Sequence, residues 1–522
     1  MRSDNGEPGG MHVAMMGIMT LDRDACFRAL RARDTRFDGR FFIAVRTTGI
    51  YCRPICPARC PKLVNIVFYP SAAAAQEAGY RPCLRCRPES SPRLAAWRVT
   101  SSTVSRALAL IADGALDGED ADVERLAARL GIGERQLRRL FRKHLGASPV
   151  AVAQAKRVLF AKKLLHETRM RMIDVSLAAG FGSLRRFNDA FRRLFGRPPS
   201  ALRRRRSGAQ RADDGGGITL TLDHAAPYDW PAMIGFLAAR AIPGIEVAEP
   251  RRYRRTIELG GDHGTIEVMP VPGRSALAAT IHFPNVRALP AIVERIRRVF
   301  DLGADIGTIA AQLAQDPRLA PLVAARPGLR VPGAWDGFEL AVRAILGQQI
   351  TVGAARRLAG KLVAAYGERG TFAAGRGRGE LTAVFPRPER LVAADLTTLG
   401  IPRARAAALS ALARAAASDP RLFDPEEALD ATVARLRSLP GIGEWTAQYI
   451  AMRALREADA FPAADVGLLR AMAGADGARP SPETLLARAE AWRPWRAYAA
   501  QHLWTSGAAT VDTIPATRHA VA

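Results

Sequence analysis

Between residues 120 and 200, apolar positions recur at the three-and-four spacing of amphipathic helices, and the recurrence happens twice. A short apolar helix over 123–130 meets a turn with Gly131 and Gly133; the basic helix after it ends in Phe141-Arg142-Lys143-His144-Leu145-Gly146-Ala147-Ser148-Pro149. Fifty positions on, 172–179 meets Gly180 and Gly182, and the next helix ends in Phe191-Arg192-Arg193-Leu194-Phe195-Gly196-Arg197-Pro198-Pro199. Gly followed by Pro stops each helix, because glycine accepts the left-handed terminal conformation and proline cannot extend the hydrogen-bond ladder. The pattern predicts two helix-turn-helix units joined by a long helix over 150–166. From 218 the period changes to two: 254–259, 264–269 and 277–283 predict three strands, and 289–300 a helix. Beyond about 325 the pattern is helical again.

A Pro440-Gly441-Ile442-Gly443 turn interrupts that last region and opens into Glu444-Trp445-Thr446-Ala447-Gln448-Tyr449. Glycine tolerates the φ > 0 angles of such a loop. The helix start exposes backbone N–H groups which, with the helix dipole, suit a DNA phosphate; an ordinary connector between helices has the same appearance. Asp465 follows sixteen residues after Tyr449, just before the apolar run Val466-Gly467-Leu468-Leu469. A carboxylate there caps a helix as readily as it does chemistry.

The chain of 522 residues can bury three or four cores, and 48% hydrophobic with 24% charged residues describes a globular protein rather than a disordered one. No uninterrupted apolar run approaches the ~20 residues of a membrane helix. The first twenty residues lack an export signal's charged, apolar and cleavage regions, so a cytoplasmic location is expected. The net charge of +26 calls for a polyanionic partner. Residues 1–214 hold 40 Lys+Arg against 20 Asp+Glu, and 215–522 hold 36 against 30. A uniform coding bias toward arginine would spread the excess evenly, so the front is expected to grip duplex DNA through its phosphates.

All six cysteines lie in the first hundred residues. Cys52-x-x-x-Cys56 and Cys83-x-x-Cys86, with 26 residues between the pairs, have the spacing of a four-thiolate zinc site, whether purely structural or reactive. The surrounding Phe42-Ile43-Ala44-Val45, Thr47-Thr48-Gly49-Ile50-Tyr51-Cys52-Arg53-Pro54-Ile55-Cys56 and Gly79-Tyr80-Arg81-Pro82-Cys83-Leu84-Arg85-Cys86 resemble the methyl-phosphotriester acceptor domain of the Ada regulator. The resemblance implies one Zn²⁺ held by Cys52, Cys56, Cys83 and Cys86, with Cys52 also the methyl acceptor. Cys60 and Cys26 fall outside the quartet, and Cys60 is expected to be a secondary thiol.

The paired helical units resemble AraC-type regulators. That implies recognition helices over 134–143 and 183–193, with Arg135, Gln136, Arg138 and Arg139 in the first and Arg185, Arg186 and Asn188 in the second as DNA readers. Some of these charges could equally be solvated helix faces. The C-terminal half resembles AlkA-type 3-methyladenine glycosylases of the helix-hairpin-helix superfamily. The matching stretches are Pro227-Tyr228-Asp229-Trp230, Ile234-Gly235-Phe236-Leu237-Ala238-Ala239-Arg240, Ala325-Arg326-Pro327-Gly328-Leu329-Arg330, Gly347-Gln348-Gln349, the 440–449 hairpin and Trp492-Arg493-Pro494-Trp495. This implies Asp465 as the catalytic residue and Trp445, Tyr449, Trp504 and Phe236 as the base pocket. Gly441 and Gly443 would contact DNA, with a monovalent cation at the hairpin. Bifunctional relatives carry a lysine where Trp445 stands, so base excision without strand cleavage is expected. Ala464 replaces a second aspartate of some relatives, and no Pro-Cys-His-Arg motif of the other Ada repair domain occurs.

The expected architecture is multidomain and mainly α. It comprises a small α+β zinc domain (20–95), an all-α double helix-turn-helix domain (100–206) and a linker (207–217). An α+β domain like the TATA-binding protein (218–325) and an all-α helix-hairpin-helix glycosylase domain (326–513) follow. The expected function is alkylation repair joined to its own regulation, against the alternative of a regulator whose glycosylase half only binds DNA. RNA polymerase as a partner, a monomeric state and association with the nucleoid are further expectations.

Overall fold

The computed structural model describes residues 22–91, 102–117, 122–203, 217–370, 372, 381–474 and 476–509. The first twenty residues and, apart from Gly217, the expected linker lie outside them.

Phe42–Val45 is the centre of a four-stranded sheet, pairing antiparallel with both Ile50–Cys52 and Ile66–Tyr69. Ile50–Cys52 in turn pairs parallel with Arg81–Pro82. This register brings Cys52, the last residue of one strand, beside Cys83, the first residue after the next. The loop after Cys52 is pinned by Arg53, whose Nε donates to Asp38 Oδ1 at 2.8 Å.

Five helices follow as the periodicity predicts: Val123–Arg129, Glu134–Leu145, Pro149–Glu167, Met172–Ala178 and Leu184–Phe195. Leu137, Phe141 and Leu145 form the buried stripe of the first basic helix, and Phe187, Phe191 and Phe195 that of the second. Gly146 (φ +67°) and Gly196 (φ +69°) adopt the left-handed conformation that ends each. The long middle helix docks on the zinc unit through Lys162, which is fully buried and donates to the carbonyl of Cys83 at 3.0 Å. On the same helix, Glu167 accepts from Arg87 at 2.7 Å and from the backbone N–H of Thr221 at 2.9 Å.

The sheet after the linker has five antiparallel strands rather than the three predicted, in the order Ile218–Asp223, Ala276–His282, Asp262–Pro270, Arg252–Leu259, Glu246–Glu249. Both additions are edge strands. Ile218–Asp223 does alternate, with Leu220 and Leu222 buried, whereas Glu246–Glu249 is a four-residue strand bounded by glutamates with little pattern to read. Buried ion pairs lock the sheet to the helical region. Arg343 Nη2 lies 2.5 Å from Glu246 and 2.6 Å from Glu339, and Arg255 Nη2 lies 2.7 Å from Glu339. Arg343 also donates to the carbonyl of Arg240 at 2.9 Å, which fixes the end of the helix Trp230–Arg240. Apart from a short antiparallel ribbon, Glu368–Arg369 with Ala383–Val384, which the all-α expectation left out, the remainder is helical around one core that includes Ile345, Leu409, Ile450, Trp492 and Leu503. No helix among the described residues is long and apolar enough to cross a membrane.

Candidate active site and zinc centre

The hairpin turn needs its first glycine twice over. Gly441 has φ +80°, and a Cβ there would lie 2.3 Å from Ala408 Cβ. Gly443 precedes the helix Glu444–Arg453 with no side-chain cap, so the helix start is exposed and its N–H groups are free for an anion. Gln348 Nε2 ties the turn to the preceding helical layer, donating to Gly441 O at 2.9 Å and Thr446 Oγ1 at 3.1 Å.

Asp465 stands at the start of the helix Val466–Ala471 and does cap it, accepting from Leu468 N at 3.0 Å. Capping is only part of its setting. Trp445 Nε1 donates to Oδ2 at 2.7 Å and Trp504 Nε1 to Oδ1 at 2.8 Å, so both carboxylate oxygens are fixed by indoles from two other helices. The half-buried carboxylate lines a cavity of about 780 Å³. Phe236, Trp445, Tyr449 and Trp504 line the same cavity, so every residue expected there from sequence converges on it. Trp445 and Tyr449 stack at 5.2 Å and 10°, while Trp504 meets Tyr449 edge-on at 6.5 Å.

Two arginines complete the wall. Arg453, 2% exposed, places its guanidinium 4.4 Å from the ring centre of Phe236, 5.0 Å from Tyr449 and 5.4 Å from Trp504. The Arg240 guanidinium lies 3.9 Å from the centre of the same Phe236 ring. Burial pushes the Tyr449 phenol up, yet the charges of Arg453 and Arg240 outweigh it and leave its pKa below the ordinary tyrosine value.

In the N-terminal unit the sulfurs of Cys52, Cys56, Cys83 and Cys86 all lie within 4.8 Å of one another. A tetrahedral zinc–thiolate site, with arms of about 2.3 Å, has sulfur–sulfur edges of about 3.8 Å, so this donor set fits zinc. Backbone N–H groups of Arg53 and Arg85 point at Cys86 Sγ (3.4 Å) and Cys83 Sγ (3.3 Å), as thiolate ligands require. As whole residues Cys56, Cys83 and Cys86 are buried and Cys52 is half-buried. Cys60 is exposed and Cys26 sits in a separate apolar cluster; neither joins the quartet.

On the two basic helices Arg135, Gln136, Arg139, Arg185 and Arg186 are exposed and Asn188 is half-buried. Arg138, also exposed, is engaged by Glu134 one turn away, its Nε 2.8 Å from the carboxylate.

Four family models match in succession. They are the metal binding domain of Ada (25–89), a helix-turn-helix domain (126–205), the AlkA N-terminal domain (219–336) and the HhH-GPD superfamily of base excision DNA repair proteins (342–497). A probable bifunctional transcriptional activator/DNA repair enzyme AlkA of Mycobacterium tuberculosis is 42% identical over 487 residues, which is 93% of this chain and 96% of that one. The chain belongs to this family.

Within the bifunctional AlkA family, each half also has relatives of its own. DNA-3-methyladenine glycosylase 2 of Escherichia coli is 35% identical over 288 residues, 54% of this chain and 96% of that protein. The bifunctional transcriptional activator/DNA repair enzyme Ada of Escherichia coli is 37% identical over 137 residues, 26% of this chain and 37% of that protein. Arg240 and Arg453 are the pocket residues to which the sequence reading gave no role. A signal existed for Arg453: at positions 445, 449 and 453 a four-residue step keeps three side chains on one helix face.

Proposed function

We propose that the chain releases alkylated purines such as 3-methyladenine from duplex DNA by hydrolysis, and that its N-terminal half senses methyl phosphotriesters and activates transcription. One observation carries the glycosylase reading: a carboxylate oriented by two indoles at the wall of an aromatic cavity large enough for a purine, beside a helix-hairpin-helix turn. A purine cannot react inside the stack, so it must rotate out into that cavity, where an electron-poor alkylated ring stacks well on Trp445 and Tyr449. As the C1′–N bond breaks, its electron pair enters the base and the sugar turns cationic. Asp465 stabilises that cation and orients the water that adds to C1′. Trp445 in place of an amine leaves no Schiff-base nucleophile, so the strand stays intact. Gly441 and Gly443 would hold a flanking phosphate, and a monovalent cation at the hairpin belongs to the same reading.

At the other end, Cys52 Sγ attacks the methyl carbon of the phosphotriester. The S–C bond forms, the O–C bond breaks with its electron pair, and a phosphodiester anion leaves. Zinc, when bound, keeps the four thiols deprotonated at neutral pH. The quartet's charge then falls from about −2 to about −1, which lessens repulsion from DNA. Arg135, Gln136, Arg138, Arg139, Arg185, Arg186 and Asn188 are the proposed readers of promoter DNA. Two helix-turn-helix units on one chain support action as a monomer at the nucleoid; contact with RNA polymerase follows from the activator reading.

The experiment is base release from methylated duplex by wild type and Asp465→Asn. Wild type should liberate free base and leave a strand that breaks only on alkali treatment; the variant should bind the same DNA and release nothing. No free base from wild type would overturn the glycosylase reading; release by the variant would overturn the role of Asp465, and immediate strand breaks by wild type the single-step hydrolysis.

A further inference from the structure

Purines alkylated at N3 or N7 arrive in the pocket as cations, and aromatic walls are favourable to cations. The walls here already hold one. Arg453 occupies the space between the faces of Phe236, Tyr449 and Trp504, and Arg240 covers Phe236. Arg453 is kept there by hydrogen bonds to Pro332 O at 2.8 Å and Gln501 Oε1 at 3.2 Å. Both arginines line the cavity that Asp465 lines, and they stand at ring faces whereas the carboxylate stands at the indole nitrogens. Two positive charges therefore stand at the ring faces and one carboxylate at the indole edges of a cavity that Arg255 and Arg343, paired with Glu246 and Glu339, also line.

We propose that Arg240 and Arg453 form the positive end, and Asp465 the negative end, of a fixed field that draws the glycosidic electron pair into the departing base. This rests on the glycosylase reading above. Whichever lesion is bound, C1′–N cleavage moves one unit of negative charge toward the base and leaves one unit of positive charge on the sugar. A cationic base leaves neutral; a neutral base leaves as an anion and then takes a proton from water, while the water adding to C1′ loses one. Positive charge beside the base assists both departures, because only the change in charge matters to the chemical step. The bound states differ. The arginines repel a cationic base before it reacts and leave a neutral one unaffected. Tyr449 reports the same field: losing its proton is also a gain of negative charge at the pocket wall, and the two guanidiniums favour it in spite of burial.

The consequence is a split between binding and chemistry that a structural role for these residues would not produce. The test uses the full chain and two duplexes, one with a single 7-methylguanine (cationic) and one with a single hypoxanthine (neutral). Single-turnover rate and half-saturating protein concentration are measured for wild type, Arg240→Gln and Arg240→Lys. Arg240→Gln should slow the chemical step on the order of ten-fold for both bases. For 7-methylguanine it should also lower the half-saturating concentration, so that the ratio of the two constants barely moves; for hypoxanthine that ratio should fall on the order of ten-fold. Arg240→Lys should restore wild-type behaviour. Unchanged rates, an equal loss in that ratio for the two lesions, or a wild type unable to release hypoxanthine would each overturn the proposal. The 7-methylguanine duplex separates the two ideas: if wild type releases no base from it, the glycosylase reading itself has failed, and if it does, an absent split sinks this inference alone.

Discussion

Trp504 donates its indole N–H to Asp465 Oδ1 at 2.8 Å across a separation of 39 positions in the chain. With Trp445 on Oδ2 and Leu468 N on Oδ1, the carboxylate is aimed by three donors from three helices. The capping bond alone would be satisfied by any Asx residue at a helix start. The indoles are what make this aspartate different from a cap, because they set its plane against the cavity.

That relationship predicts the behaviour of conservative substitutions. Trp504→Phe keeps an aromatic wall and removes one donor to a charged acceptor, a bond of about 1.5–3 kcal/mol. Base release should slow by roughly ten- to a hundred-fold while the protein remains folded. Trp445→Phe should act similarly on the other oxygen. Single-turnover rates on methylated duplex measure this; full activity in both variants would show that the indoles do not orient the carboxylate.

Zinc removal should divide the molecule's functions. Cys83 lies at the join between the metal quartet and the long helix, its carbonyl accepting from buried Lys162. Stripping zinc or making Cys83→Ser should unfold the N-terminal unit and loosen that docking, since structural zinc supplies folding free energy directly. Cys52→Ala should leave base release unchanged and abolish methyl uptake, detected as the missing mass of one methyl on the Cys52 peptide after exposure to methylated DNA. Methyl uptake by Cys52→Ala would transfer the acceptor role elsewhere.

Acid should weaken the C-terminal half through two buried histidines. Burial pushes His224 down to about 4, with Arg330 adding to it, and burial likewise pushes His502 to about 4 against a raising contact from the Leu322 carbonyl. Both stay neutral in the native state at pH values where the unfolded chain, at about 6.5, takes up protons. The histidines' contribution is therefore whole above about pH 6.5 and declines as the pH falls toward 4, by about 3 kcal/mol per histidine once both limits are passed. Glu457, pushed up to about 7 by burial, shifts stability the other way as it takes up its proton. Urea midpoints measured at pH 7.5 and pH 5 should differ accordingly, and His502→Gln should recover part of the loss. A pH dependence that His502→Gln leaves unchanged would mean that its ring is hydrated.

What could be read from the chain beforehand follows from how local each signal is. The basic helices were legible because Leu137, Phe141 and Leu145 recur at helical spacing and Gly146 stops the run. The zinc quartet was legible because its ligands come as two close pairs. Asp465 and its aromatic companions were legible only through resemblance: Phe236 and Trp504 lie far apart in sequence, and no periodicity predicts that they share a wall. The edge strand Glu246–Glu249 carried too few apolar residues to show its period. The role of Arg453 escaped because a charged residue in a helix usually reads as a solvated face, and its 2% exposure is a tertiary fact.

The arginines of the two basic helices differ in how they are held, and DNA binding should reflect it. Arg185 has a side chain 92% exposed, with only a distant carboxylate at 4.0 Å from Asp189. Arg135 is also exposed, whereas Arg138 is already paired with Glu134. A residue that must first give up an ion pair gains less from a phosphate, though an exposed pair of this kind is worth only about 0.3–0.5 kcal/mol. Arg135→Ala and Arg185→Ala should each weaken binding to duplex DNA and reduce the slope of log affinity against log salt by about 1. Arg138→Ala should cost less. Fluorescence anisotropy over a salt series distinguishes these outcomes, and slopes unchanged by Arg135→Ala and Arg185→Ala would remove both helices from the DNA-contacting surface.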